Sequence, residues 1–200
     1  MWPTVDDGVP EPGRLRRSLT TTDRQGGRPR TLKALVRDPA AFRDWYDLTL
    51  PRVYRYLLSR TGDVSLAEEV TQQAFVEAVR HPGRFDGRSD IVTWLCAIGR
   101  NKLVDHYRRS GRDDDRRQRL AVVDRGLADA TAAFDERDAI HRALAQLPPD
   151  QRLALIFRYL DQMTVREVAS QLSRSEKATE SLLSRGREAF RNAYGGPIDV

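Results

Sequence analysis

The stretch TVREVASQLSRSEKATESLLSRGREAF, residues 164–190, decides how the chain reads. Thr164 and Glu167 form a capping-box pair, and Val165, Val168/Ala169 and Leu172 keep helical spacing. Ser173-Arg174-Ser175 is a tight polar turn. A longer helix follows, from about Glu176 to Tyr194, with Ala178, Leu182, Gly186 and Phe190 four residues apart and Gly195-Gly196-Pro197 as its stop. A short helix, a tight turn and a longer helix are helix-turn-helix proportions. In that motif the start of the second helix faces the major groove. The outward side here offers Arg174, Ser175, Lys177, Glu180, Ser181, Ser184, Arg185 and Arg187. Arg and Lys pair with guanine O6 and N7, Ser is adaptable, and Glu accepts from cytosine N4. Glu180, a like charge to phosphate, either reads a base or pairs with Arg187 or Lys177. An amphipathic hairpin with a solvated charged face has the same spacing, so on these residues both readings stand.

Working outward, Ile140, Ala143/Leu144 and Leu147 form a helical stripe ending at Pro148-Pro149, where Pro149 can open the next helix. Leu153, Ile156/Phe157 and Leu160 are that helix's expected core face. At the other end of the chain, order is expected from Asp38-Pro39, an N-cap followed by proline at the first helical position. Phe42, Trp45/Tyr46, Leu50, Val53/Tyr54 and Leu57/Leu58 then recur every three or four residues. Pro51 falls inside this stripe and is expected to kink or divide the helix. Thr61-Gly62-Asp63 ends it. Ser65 with Glu68 reads as a capping box for a second helix that stops before His81-Pro82-Gly83. After a polar loop, 84–89, a third helix runs from about Asp90 to Arg109 with Ile91, Trp94/Leu95, Ile98, Leu103 and Tyr107 inward. No strand signal of useful length appears. The expected fold is all-α, in two small helical modules joined by a flexible linker. Its divisions are a disordered extension at 1–37, a first module at 38–109, a charged linker at 110–134 and a second module at 135–194.

The chain carries 34 Lys and Arg against 29 Asp and Glu, a formal charge of +5. Its lysines are Lys33, Lys102 and Lys177; the remaining 31 of the 34 are arginine. Arginine is the better bidentate reader of phosphates and base edges, and it is also what GC-rich coding produces. No run approaches the ~20 apolar residues of a membrane span, and the first residues lack the apolar core of a secretory signal. The expected location is therefore the cytoplasm. One cysteine, Cys96, excludes an internal disulfide framework and any multi-cysteine metal site. His81, His106 and His141 are scattered, with no second ligand at i+3 or i+4, and no phosphate loop or nucleophile motif is present. The sequence gives no support to an enzyme and implies no metal or cofactor. Cys96 reads as a buried, inert thiol.

Two further faces carry chemistry. The second helix presents Glu68, Glu69, Gln72, Gln73 and Glu77, an acidic and amide face that would repel DNA and suit a basic helical partner; a merely solvated face reads the same way. The third helix carries Arg100, Asn101, Lys102, Asp105, His106, Arg108 and Arg109, with Phe85, Arg88 and Trp94 nearby. Basic side chains beside aromatics suit opened DNA, whose bases stack on rings while phosphates follow the charge. Trp94 is better placed as core.

These pieces occur in a recognisable order. SLAEEVTQQAFVEA (65–78) resembles the core-polymerase-binding helix of bacterial sigma factors, which typically reads AEDLTQEVF. TWLCAIGRNKLVDHYRR (93–109) is similar to the family's WLYRIARNLAIDHLRR. The segment 143–190 resembles the region-4 pattern, and with no third module between them the likeness is to the extracytoplasmic-function (ECF) group, over roughly residues 38–194. The resemblance implies a promoter-directing subunit of RNA polymerase. It assigns Glu68, Glu69, Gln72 and Gln73 to the polymerase, Glu69 standing for the family's Asp. It assigns Phe85, Arg88, Asn101, Lys102, Asp105, His106, Arg108 and Arg109 to the −10 element and its opened strand. Arg174, Ser175, Lys177, Glu180, Ser181, Ser184, Arg185 and Arg187 fall on the −35-reading helix. Implied partners are core RNA polymerase through its β′ clamp helices and β flap, promoter DNA and an anti-sigma factor. The family's TVKSRLSRAR is ATESLLSRGR here, so Glu180 and Leu182 replace a Lys and an Arg that commonly touch phosphate, which is expected to weaken nonspecific affinity. A helix-turn-helix regulator acting on duplex DNA without polymerase accounts for 164–193 but leaves 65–109 unexplained.

Overall fold

The computed structural model describes residues 31–117 and 132–195, and every regular element among them is helical. The helices are α1 (Leu32–Leu35), α2 (Pro39–Thr61), α3 (Val64–Arg80), α4 (Ile91–Arg117), α5 (Ala132–Ala145), α6 (Pro149–Leu155), α7 (Val165–Leu172) and α8 (Glu176–Tyr194). The expected extension over 1–30 and the middle of the expected linker, 118–131, lie outside the described residues.

In the first module α2, α3 and α4 pack on one another. Asp38 caps α2 as its sequence predicts, its side chain accepting from the N–H groups of Ala40 and Ala41 at 3.2 Å. Trp45, Val53 and Leu57 of α2 meet Val70 and Phe75 of α3 and Leu95, Leu103 and Val104 of α4 in the core. Thr49 and Thr71 lie on the same buried faces, and their hydroxyls donate back to the carbonyls of Trp45 (2.7 Å) and Ala67 (2.6 Å). That local bond lets a polar residue occupy an apolar stripe. Helix α4 comes close to α2 at Gly99, where a Cβ would stand 3.0 Å from both methyl carbons of Leu57.

Four local expectations are corrected. Pro51 does not divide α2, which runs unbroken to Thr61; Pro51 is exposed, so water can take the carbonyl its missing N–H leaves. The cap of α3 is Asp63, accepting from the Leu66 N–H at 2.9 Å, and Ser65 lies inside the helix. Gly62, left-handed at φ 62°, ends α2 so sharply that Asp63 is already the next cap. Order begins before Asp38: Thr31 caps α1, and Leu32, 2% exposed, is a core residue against α2 and the 3-10 turn Pro82–Arg84. A single helical turn is too short to show a period. Finally, α4 continues past Arg109 to Arg117 and α5 starts at Ala132, so both ends of the expected 110–134 linker are helical. After Gly111 the run RDDDRR holds no Gly or Pro to stop a helix.

In the second module the Thr164–Glu167 capping box forms as its sequence predicts, and hydrogen bonds from the Thr164 N–H and hydroxyl (2.7 and 2.8 Å) hold the Glu167 carboxyl below its usual pKa. Ser173 ends α7 in the left-handed region and Ser175 caps α8. Helix α6 passes into one π-helical turn, Ile156–Leu160. The wider turn advances the helix phase, so Ile156 and Phe157 are fully buried while Leu160, expected in the core face, is 37% exposed. Helix α8 reaches α6 at Gly186, where a Cβ would lie 3.3 Å from Leu155 Cγ. Helices α4 and α6 also pack together, so the two modules share a continuous apolar core.

Leu103 is fully buried in that core and Leu48 is 57% exposed on α2. Leu103→Ala is expected to lower unfolding free energy by about 2–5 kcal/mol, and Leu48→Ala by under about 0.5 kcal/mol, in urea titrations followed by circular dichroism.

Candidate nucleic-acid interface

Helix α8 buries Thr179, Leu182, Leu183 and Gly186 and turns its other side outward. Arg174, Ser175, Lys177, Glu180, Ser181, Ser184, Arg185 and Arg187 are all exposed there. Several are already anchored. Ser175 accepts from the Ala178 N–H at 3.2 Å, Arg174 pairs with Asp150, Arg187 donates to the Tyr159 hydroxyl at 3.3 Å, and Arg185 donates to the Ser181 carbonyl at 3.4 Å. Among the described residues no ion pair joins Glu180 to Lys177 or Arg187. Its carboxylate stands in the middle of the outward face with its acceptors unspent. Leu182 is 5% exposed. It is a core residue, so its substitution removes no phosphate contact from the outer face, contrary to the sequence expectation.

The third-helix residues divide between two sides of α4. Lys102 turns towards α3 and pairs with Glu77 at 3.3 Å; Arg84, from the turn after α3, pairs with the same carboxylate at 2.8 Å. The Lys102 hydrogen bond is the main reason that the Glu77 pKa is lowered. Asn101 turns towards α7 and meets the Gln171 side chain, and Arg108 donates to the Leu172 carbonyl at 2.8 Å. Asp105 and Arg109 are exposed, Arg109 donating to the Asp105 carbonyl at 3.2 Å, and the half-buried His106 ring lies edge-on 5.6 Å from Tyr107. In the loop, Arg88 pairs with Asp86 at 3.3 Å. The Phe85 and Trp94 rings lie 5.3 Å apart, each half-buried. Trp94 is thus a partly covered support for Phe85 rather than a full core residue.

On α3, Glu69 and Gln72 are exposed, and Gln73 donates to Glu69 at 2.8 Å. Glu68 is half-buried beside Tyr54, whose hydroxyl pKa is raised by burial first and by Glu68 second. Val76, 47% exposed, adds an apolar spot to this acid and amide face. The sequence reading passed over it because it lies off the helix's buried stripe. An open groove of about 620 Å³ between α3 and α4, lined by Gln73, Val76, Glu77, Lys102 and Arg109 among others, runs from this face to the basic end of α4. Among the described residues no group of His, Cys, Asp and Glu is arranged to hold a metal, and no helix is long and apolar enough to cross a membrane.

Residues 45–113 match the family described as Sigma-70 region 2, and residues 137–190 match Sigma-70, region 4. The ECF RNA polymerase sigma factor SigK of Mycobacterium tuberculosis is 31% identical over 172 residues, covering 80% of this chain and 90% of SigK. The chain belongs to the ECF RNA polymerase sigma factors. SigM of Bacillus subtilis, another ECF sigma factor, is 26% identical over 156 residues, covering 77% of this chain and 95% of its own. The sigma factor RpoE of Bartonella quintana, solved with the anti-sigma factor NepR, shares the fold at a TM-score of 0.55, with 22% identity over 80% of this chain and 98% of that one. The chain is accordingly a promoter-directing subunit of transcription initiation, and sigma factors as a family are not enzymes. The region-2 match covers α3 and most of α2 and α4, and the region-4 match covers α6, α7 and most of α5 and α8.

Sequence reasoning missed one cluster altogether. Tyr56, Arg60 and Arg100 of the region-2 module surround Asp161 of the region-4 module. Tyr56 and Arg60 lie on α2, Arg100 on α4 and Asp161 just past the π-helical turn; Arg60 and Asp161 are 101 positions apart, and no motif joins them. Nearby, burial pushes the Cys96 thiol pKa up to about 12, against the opposing pull of Arg100 and Arg60. The thiolate is the reactive form. At pH 8 the folded sigma factor is therefore expected to resist iodoacetamide and to be alkylated stoichiometrically once unfolded in urea, as read by mass spectrometry.

Proposed function

We infer that this sigma factor joins core RNA polymerase through α3, holds the melted −10 strand along α4 and its preceding loop, and reads −35 duplex with α8. The observation that carries this reading is the outward side of α8. Eight side chains at helix-turn-helix contact positions are exposed there together, above a core that fixes the helix rigidly on α6. Arg185 and Lys177 would supply guanine contacts, and Glu180, free of the cations beside it, would accept from a cytosine N4 amine. The acid and amide face of α3, Glu68, Glu69, Gln72 and Gln73, would receive the basic β′ clamp helices, and the region-4 module the β flap. Phe85, Arg88, Lys102, Asp105, His106 and Arg109, with Asn101 and Arg108, would line the path of the opened strand. The chain would act in the cytoplasm and catalyse nothing itself, its work being the coupling of three binding events. RpoE is held by NepR in its solved complex, and an anti-sigma factor is the corresponding proposed regulator here. The polymerase-independent regulator is disfavoured by the second surface: a duplex-binding protein has no use for an acidic helix face in its other module.

Run-off transcription with purified core polymerase, followed by start-site mapping, tests the whole reading. Promoter-dependent initiation supports it, and retained duplex affinity without initiation would return the regulator. Glu69→Arg combined with Gln72→Ala is expected to abolish core association in a pull-down while the chain still binds DNA. Arg185→Ala is expected to weaken binding to its promoter duplex by about 1–3 kcal/mol and to relax sequence preference at one position if it reads a base. A uniform loss across sequences would make it a phosphate contact instead.

A further inference from the structure

Glu77 closes the acid and amide face of α3, yet both of its oxygens are spent on cations of other elements. Oε1 accepts from the Arg84 guanidinium at 2.8 Å and Oε2 from the Lys102 ammonium at 3.3 Å. Arg84 ends the 3-10 turn Pro82–Arg84 and leads directly into the loop that carries Phe85 and Arg88. Lys102 stands on α4. One carboxylate therefore bridges the root of the loop and the helix behind it. The triad is open to solvent: the Glu77 and Lys102 side chains are 25% and 28% exposed, and that of Arg84 67%. It lies on the side of α4 that faces α3, away from the Asn101 contact with Gln171 of α7. Beside it runs the open groove of about 620 Å³, also lined by Arg80 and Arg109. Among the described residues Arg80 and Arg109 make no ion pair. Glu77 thus divides the cations around this groove into two that are neutralised and two that are not.

We propose that Glu77 is a specificity-determining residue for strand binding: it shields Lys102 and Arg84 from phosphates, so that a strand without base contacts gains nothing from them. The shield rests on the reading of α4 and its loop as the path of the opened strand. Phosphate contacts supply affinity without sequence information. A cation already paired with a carboxylate has no counterion to release when a phosphate arrives, so it adds little to that affinity. The Lys102 hydrogen bond holds the Glu77 carboxyl below its usual pKa, and the shield stays charged. Two cations against one carboxylate leave the triad at +1, which a passing strand meets in place of two bare cations. The shield is not a lock, because a solvent-exposed ion pair is worth little in itself. A strand registered by its bases can hold a phosphate against Lys102 or Arg84 and displace the carboxylate.

The test uses the full chain and Glu77→Gln, which keeps the shape of the side chain and removes its charge, with helical content checked by circular dichroism. Binding to labelled single strands of mixed sequence is titrated against salt. The slope of log affinity on log salt is expected to steepen by about 0.7 for each cation freed, up to about 1.4 for both. Affinity at about 0.1 M salt, relative to about 1 M, then gains roughly five- to 25-fold. Core association in a pull-down is expected to be unchanged. In an Arg84→Met/Lys102→Met background the same substitution is expected to steepen the slope far less, because no cation remains to be freed. An equal increment in both backgrounds would mark a simple loss of repulsion, and an unchanged slope in the native background would mean no shielding; either overturns the proposal. Loss of core association with strand binding unaltered would give Glu77 to the polymerase and overturn it too. Should no form bind single strands, inorganic polyphosphate is the second probe. The same steepening with polyphosphate would support the shield and overturn the assignment of α4 to the opened strand, and no steepening would overturn both.

Discussion

Helix α4 must satisfy three neighbours at once, and the rest of the molecule is arranged around that demand. One side packs Leu95, Leu103 and Val104 into the three-helix core, and Gly99 lets it approach α2 closely enough for Leu57 to fill the gap. A second side meets α3 through the Lys102–Glu77 pair. The third carries Arg100, Asn101 and Arg108, whose polar groups need a partner wherever water is excluded. That partner is the region-4 module, through Asp161, Gln171 and the Leu172 carbonyl. The apolar core fixes the helix, and the fixed helix holds one set of donors in place against a second module.

The same economy appears on α3. Glu77, at the end of the acidic face, is neutralised from two directions by Arg84 and Lys102. The face left for a basic partner is therefore narrower than the sequence suggests, centred on Glu69 and Gln72, with Val76 as its apolar spot. A small apolar contact ringed by polar groups is how binding surfaces concentrate their energy.

What the sequence made legible follows from range. The Asp38 cap, the Thr164–Glu167 box, the Ser173-Arg174-Ser175 turn and the outward face of α8 are set by residues within four positions of one another, where spacing alone decides geometry. Misreadings arise where a second influence enters. Pro51 passes through α2 because tertiary packing holds the helix on either side. Leu160 leaves the core because a π turn shifts the phase that a period of 3.6 assumes. Leu182, aligned with a cation in the family pattern, is inside because the inward stripe of α8 passes through it. The Asp161 site was not legible at all, since its parts converge only when two modules dock.

The excess of arginine over lysine, ambiguous between coding bias and DNA contact, acquires a third explanation in the structure. Arg152 donates to the carbonyls of Leu144, Ala145 and Leu147 where α5 ends; Arg158 donates to that of Met163, Arg60 to that of Leu160 and Arg108 to that of Leu172. Apart from that of Met163, which precedes the α7 cap, these carbonyls lie at or just beyond a helix C-terminus, where backbone acceptors lack intrahelical donors and the helix dipole favours a cation. A guanidinium can serve several such acceptors from one planar fork, and a lysine ammonium, a compact point charge, cannot match that geometry. Four of the 34 basic side chains are therefore engaged with backbone carbonyls inside the fold. Placement in the fold, rather than a net charge of +5, decides which cations stay outside it, and Lys177, Arg185 and Arg187 on the outward face of α8 are among those that do.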